Sequence, residues 1–223
     1  MIDKKSLSTR RQIKYFTDEV PDSSAIKDII ADTIAYAPMK NNKWDFVLEV
    51  YDSDWADQKQ LLLYRTICKW ESRAKTIISW TLNDHKKAVA NSSPKSQNYN
   101  YQVTAPYLIV ARKSKDQYDP EGTGSSKTKK AVAAGSVAAT LSFVTRQYGL
   151  YGGFCSCYTD FFNDTIPPNM IIKNEDDFFF MFGIGYIDKE HYSTHYNAYF
   201  PSEVQNMDLR NPKPTPDQVS EWM

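Results

Sequence analysis

The chain has 223 residues, and its 27 Lys and Arg balance 27 Asp and Glu for a formal net charge of +0. That length suits a single domain over 1–223 with a core of its own, and the balance excludes a global field for nucleic acid or anionic lipid, so any basic site must be local. The longest apolar run, FFFMFGIGYI at 178–187, is far short of the ~20 residues of a membrane-spanning helix. No charged-then-apolar leader opens the chain, and three cysteines are too few for a disulfide framework, so a cytoplasmic protein is the expectation.

Residues 8–20, STRRQIKYFTDEV, put Arg10, Arg11, Gln12 and Lys14 into five positions and then stop being basic. If STRR closes a first helix and QIKYF is extended, strand alternation places Arg10, Gln12 and Lys14 on one side and Ile13 and Tyr15 on the other. The apolar side packs while the polar side faces a ligand. At ~3.3 Å per residue, Arg10 and Lys14 stand roughly 13 Å apart, which suits an elongated ligand with two separate acceptor groups. From these residues alone, a solvated basic turn is the alternative.

Next comes an amphipathic helix over 24–36, SAIKDIIADTIAY, with Ser23 or Ser24 as cap and Ile26, Ile29, Ile30 and Ile34 as its buried face. WDFVLEVY at 44–51 and PYLIVAR at 106–112 read as strands, with mostly helical sequence over 55–90 between them. NSSPKSQN at 91–98 and KSKDQYDPEGTGSSKTKK at 113–130 read as mobile loops. The stretch 129–148, KKAVAAGSVAATLSFVTRQY, is a helix of small side chains that admit a close neighbour, hence a central or interface helix. DFFFMFGIGYID at 177–188 reads as a strand buried on both faces, and Pro201, Pro212, Pro214 and Pro216 make the segment from 201 an extended arm.

Read together, RRQIKYF at 10–16, EVP at 19–21, YAPMKNNKWDFVLEV at 36–50, VTAPYLIVA at 103–111, AAGSVAATLSFVTRQYGLYGGFCSCY at 133–158, FGIGYID at 182–188 and DLRNPKP at 208–214 follow one another in a familiar order. The chain resembles the FMN-dependent nitroreductase family along nearly its whole length. The resemblance implies an α+β fold, a central mostly antiparallel sheet flanked by helices with an extended C-terminal arm. It also implies a homodimer with shared active sites, a resident non-covalent FMN, and NADH or NADPH as a transient hydride donor.

Carried over residue by residue, the resemblance implies that Arg10, with Arg11 beside it, binds the FMN phosphate, joined by Arg210 or Lys213. Gln12 stands where the family usually has Ser, and its amide still bonds a hydroxyl or the phosphate. Lys14 approaches the pyrimidine edge of the flavin, where negative charge accumulates on reduction. Pro38, Met39, Lys40 and Asn42 fall in the segment that reaches the flavin from the other subunit. Met39 replaces the family's Ser there and the "QP" before Trp44 is missing, so Asn41 is an alternative to Asn42. Asn98, with Gln97 and Asn100 as alternatives, belongs at the pyrimidine edge. Phe154, Cys155, Ser156 and Cys157 correspond to the loop at the reactive edge, where Gly152 and Gly153 allow close approach and the amides of Ser156 or Cys157 donate to the ring nitrogen. Lys14, Ser156 and Cys157 are therefore the candidate catalytic residues.

Other motifs carry less. GTGSSKT at 122–128 lacks the gap of a phosphate-binding loop, and no dinucleotide fingerprint follows a strand, so the nicotinamide is a transient substrate. His191 and His195, with Cys155 and Cys157, nominally complete a zinc set, but the thiol spacing is atypical and no metal is expected. The expected function is an oxidoreductase passing hydride through FMN to a small flat acceptor, such as a nitroaromatic or a quinone, by a ping-pong mechanism. The alternatives are an oxygen-dependent, flavin-consuming enzyme of the same fold and a non-enzymatic flavin-binding protein.

Overall fold

Helix α1 spans Ser23–Tyr36. Its cap is Asp22, not Ser23 or Ser24: the Asp22 carboxylate accepts from Ser24 N at 2.8 Å. A charged acceptor suits the positive end of a helix better than a hydroxyl, and the same bond holds the Asp22 carboxyl below the usual range. Ile26 and Ile29 are buried and Ile30 partly so, but Ile34 is 50% exposed and Thr33 takes the inner position. At 3.6 residues per turn, Thr33 lies about 20° from Ile26 around the axis and Ile34 about 80°. The Thr33 hydroxyl is satisfied by Ile29 O at 2.7 Å.

The computed structural model describes residues 13–39, 44, 46–52, 81–91, 101–113, 127–156 and 178–190. Among them, β1 (Phe46–Tyr51), β2 (Tyr107–Lys113), β3 (Tyr151–Cys155) and β4 (Phe178–Gly185) form one sheet in the order β1-β2-β4-β3. Every neighbouring pair is antiparallel. The two inner strands are β2 and β4, which explains why both read as near-continuous apolar runs.

Tyr107, Ile109 and Ala111 of β2 and Phe180, Phe182 and Ile184 of β4 share one face. This face packs on α1 and on α3 (Lys127–Gln147) through Ala134, Val137, Ala138, Leu141 and Val144. Alanines at 134 and 138 bring the α3 backbone close to its neighbours, as the small-residue pattern requires. The helix expected over 129–148 starts two residues earlier, at Lys127, and so takes the last residues of the stretch expected as a loop. Among the described residues, no helix is long and apolar enough to cross a membrane.

The opposite face of β3 and β4 is cleared by glycine. Gly153 pairs with Gly183, and Gly185 follows along β4. A Cβ on Gly153 would stand 2.0 Å from Ile13 O, one on Gly183 2.8 Å from Ala105 Cβ, and one on Gly185 2.8 Å from Pro106 Cδ. The N-terminal segment and a 3-10 turn at Tyr101–Thr104 therefore lie directly on the sheet backbone. Helix α2 (Leu82–Ala90), started by a capping box between Thr81 and Asp84, closes this layer as Val89 packs with Ile13, Tyr15 and Ile187.

Two glycines with opposite surroundings test this packing. Gly153→Ala drives a Cβ into backbone that has no rotamer to give, and should lower unfolding stability by at least about 2 kcal/mol. Gly135→Ala, in α3 with nothing within 4 Å of its added Cβ, should raise stability by about 0.5–1 kcal/mol. Denaturant midpoints of the two variants against wild type check both signs.

Candidate functional site

The N-terminal segment is extended, as its alternation requires. Ile13 and Tyr15 are buried against Val89 and Ile187, while Lys14, half-buried, falls on the other side. Backbone bonds pin the segment at every step. Ile13 N donates to Gly152 O (3.1 Å), Asp188 N to Tyr15 O (3.2 Å) and Thr17 N to Tyr186 O (3.0 Å), and Phe16 forms an antiparallel bridge with Ile187. The buried Gln102 side chain donates from Nε2 to Ile13 O at 3.4 Å.

GGFCSC, expected as a loop, is a strand as far as Cys155, at the edge of the sheet among the described residues. Its glycines serve the protein's own packing: Gly153 makes room for Ile13 and Gln102, and a Cβ on Gly152 would strike the Phe182 ring at 2.2 Å. Phe154 pairs with Phe182 and leans on Phe180 with ring centroids 5.7 Å apart, yet stays 37% exposed at the sheet edge. Cys155 is half-buried and in no disulfide, and Ser156 lies exposed just beyond the strand.

The entry of the chain into β3 is held by Arg146, in the last turn of α3. Its guanidinium lies 3.8 Å from the Tyr151 ring centroid and donates from an Nη to Leu150 O at 2.8 Å. Between them Gly149 takes φ 76°, the left-handed turn that lets the strand follow the helix at once.

The structure thus sets Ile13 against Gly152 and Gly153 of β3, with the segment running on past Lys14 toward Tyr186 and Asp188, while Phe154, Cys155 and Ser156 lie toward the other end of the strand. Pro38 and Met39 sit elsewhere on the chain: Pro38 is exposed, with its carbonyl accepting from Ser136 Oγ of α3 at 3.2 Å, and Met39 packs on the main core. Arg10, Arg11, Gln12, Lys40, Asn41, Asn42, Gln97, Asn98, Asn100, Cys157, Arg210 and Lys213 lie outside the described residues, as do His191 and His195. Among the described residues, no group of three or more His, Cys, Asp or Glu is placed to hold a metal ion.

At the far edge of the sheet, Arg112 pairs with Glu49, which also accepts from Tyr51 OH at 2.7 Å. Burial, and then the Glu49 bond, push the Tyr51 phenol well above its ordinary range. This half-buried network ties β1 to β2, with β4 between them and β3. Its charges are matched internally and do not compete with Lys14.

Sequence reading passed over two residues that matter here. Gln102 follows a polar stretch in which nothing marked it apart from Gln97, Asn98 and Asn100. Nothing in the sequence sets Arg146 apart from any basic residue near a helix C-terminus.

No protein-family model matches this chain, and neither does any curated protein. Solved structures match along nearly its whole length. The FMN-dependent nitroreductase NfnB from Mycobacterium smegmatis, solved in complex with NADPH, is 14% identical, with 99% of this chain and 97% of that one covered and a TM-score of 0.60. The FMN and NADPH-dependent nitroreductase NfnB from Sphigopyxis sp. strain HMH is 16% identical over 98% and 97%, also at 0.60. A nitroreductase with bound FMN from Desulfitobacterium hafniense DCB-2 is 15% identical over 98% and 97%, at 0.55. This chain has the α+β fold of the nitroreductases.

The two cations near β3 should separate by substitution. Arg146→Met removes a stacked charge and a charge-assisted bond, and should cost about 1.5–3 kcal/mol of stability. Lys14→Met keeps the apolar stem of the side chain and should stay within about 1 kcal/mol of wild type. Denaturant titration of both variants gives the comparison.

Proposed function

We propose that this chain is an FMN-dependent NAD(P)H oxidoreductase of the nitroreductase family, a cytoplasmic homodimer that reduces a small flat acceptor by a ping-pong mechanism. One observation supports the reading: within a nitroreductase fold, a backbone pinned on β3 and on residues 186–188 puts Lys14 on the side of the N-terminal segment opposite buried Ile13 and Tyr15. The donor set that this reading assembles suits a flat ring with a polar rim. Lys14 offers a cation, Phe154 an exposed aromatic edge, and Ser156 an accessible backbone past the last strand pairing.

In this reading Lys14 holds the pyrimidine edge, and the amides of Ser156 or Cys157 orient the ring from the other side, flanked by Phe154 and Cys155. Arg10, Arg11, Gln12, Arg210 and Lys213 hold the phosphate through charge-assisted bonds. Asn98 supports the pyrimidine, and Pro38, Met39, Lys40 and Asn42 serve the partner subunit's site. FMN, when bound, supplies the two-electron chemistry between nicotinamide and acceptor. The protein supplies orientation and a fixed positive charge where negative charge develops. The dimer is supported by α3, which leaves Val132 69% exposed and Gly135 and Ala139 uncovered on its outer side.

Purified protein should be yellow, release FMN without covalent attachment, and sediment as a dimer. Arg10→Ala should weaken FMN binding roughly ten- to a hundredfold, the effect of one charge-assisted phosphate bond of about 1.5–3 kcal/mol. Protein that takes up no FMN would overturn the reading. In FMN-saturated protein, Lys14→Met should move the two-electron potential negative by roughly 30 to 65 mV, since the lost cation stabilises the reduced state more than the oxidised one. An unchanged potential in a redox titration would remove Lys14 from its role.

A further inference from the structure

Gln102 is a polar side chain only 4% exposed, at the second position of the 3-10 turn. Its backbone carbonyl closes the turn by accepting from Ala105 N at 3.1 Å, and its side-chain amide reaches across to Ile13 O. It can do so because the residues beneath it have no side chains. Gly153 and Gly183 face each other across β3 and β4. A Cβ on Gly153 would stand 2.8 Å from Gln102 Nε2, and one on Gly183 3.0 Å from Gln102 O. Ile13 is thereby gripped on both sides, its N–H on the Gly152 carbonyl and its C=O on the Gln102 amide.

The Ile13 carbonyl and the Lys14 N and Cα belong to one planar peptide unit. A donor that fixes Ile13 O therefore fixes the plane from which the Lys14 side chain departs. We infer that Gln102 is the positioning residue for Lys14, a neutral clamp seated in the notch left by Gly153 and Gly183, which aims the Lys14 ammonium without adding a charge of its own. The functional half of this inference rests on the role proposed for Lys14. The clamp itself does not.

Limited trypsin digestion of the full chain tests the clamp without any cofactor, because Lys14–Tyr15 is itself a tryptic bond and Lys27–Asp28 in α1 is a reference away from it. Gln102→Leu removes the donor, and cleavage at Lys14–Tyr15 should rise about five- to tenfold with Lys27–Asp28 unchanged. Gln102→Glu keeps the shape but puts an acceptor against an acceptor. It should be cut as fast as Gln102→Leu at neutral pH, where the ionised carboxylate has no proton to donate. Rates at Lys14–Tyr15 within twofold of wild type in both variants would overturn the clamp. So would loss of protection at Lys27–Asp28 in both, which would assign Gln102 to the fold at large.

With FMN bound, Gln102→Leu should shift the potential negative by part of the Lys14→Met shift, and add nothing in the Lys14→Met background. Equal shifts in both backgrounds would overturn the positioning role. Protein that shows the proteolytic result but takes up no FMN contradicts the proposed function and leaves the clamp standing.

Discussion

The carbonyl oxygen of Ile13 lies where a side chain on Gly153 would have to be. Everything at this end of the molecule follows from that contact. Because Gly153 and Gly183 are bare, the N-terminal segment can lie on the sheet backbone, with Ile13 and Tyr15 buried and its polar groups spent on Gly152, Tyr186 and Asp188. A segment held in this way buries one side, and Lys14 occupies the other. Any larger residue at 153 would lift the strap and leave buried backbone groups without partners, which costs more than the lost contacts alone.

The charge distribution follows the same economy. The chain is neutral as a whole, and the cations of the described sheet region are handled individually. Arg112 is matched by Glu49 at the far edge, and Arg146 is absorbed by the Tyr151 ring and the Leu150 carbonyl where α3 hands over to β3. The arrangement fits a site in which positive charge acts locally on one bound group rather than as a field that steers a large polyanion.

Much of this was legible in the sequence because it depends on period. Alternation in QIKYF separated Lys14 from Ile13 and Tyr15, and the apolar runs at 106–112 and 177–188 marked the two inner strands. What period cannot say is what fills the space above a glycine. The glycines of GGFCSC suggested a loop approaching a ligand, whereas they are notches for Ile13, Gln102 and Phe182. Ile34 was misplaced because a helical face drifts, so that Thr33 and not Ile34 returns to the side of Ile26. Gln102 was illegible for a related reason: a long-range bond to a backbone carbonyl leaves no local pattern. The cationic comb at Arg10 and Arg11, the segment through Asn42 and the basic arm at Arg210 and Lys213 belong to the proposed site by resemblance alone.

The function proposed for this fold comes down to one claim, that the protein moves electrons from a nicotinamide through a flavin. Anaerobic mixing of the FMN-loaded protein with NADH and with NADPH, followed by the visible flavin absorption, tests it most directly. The account predicts that at least one of the two bleaches the flavin within turnover times, and that a quinone or nitroaromatic added afterwards restores the colour. A flavin that stays oxidised against both nucleotides, while still reducible by dithionite, would contradict it and leave a flavin-binding protein that has kept the fold without the reaction.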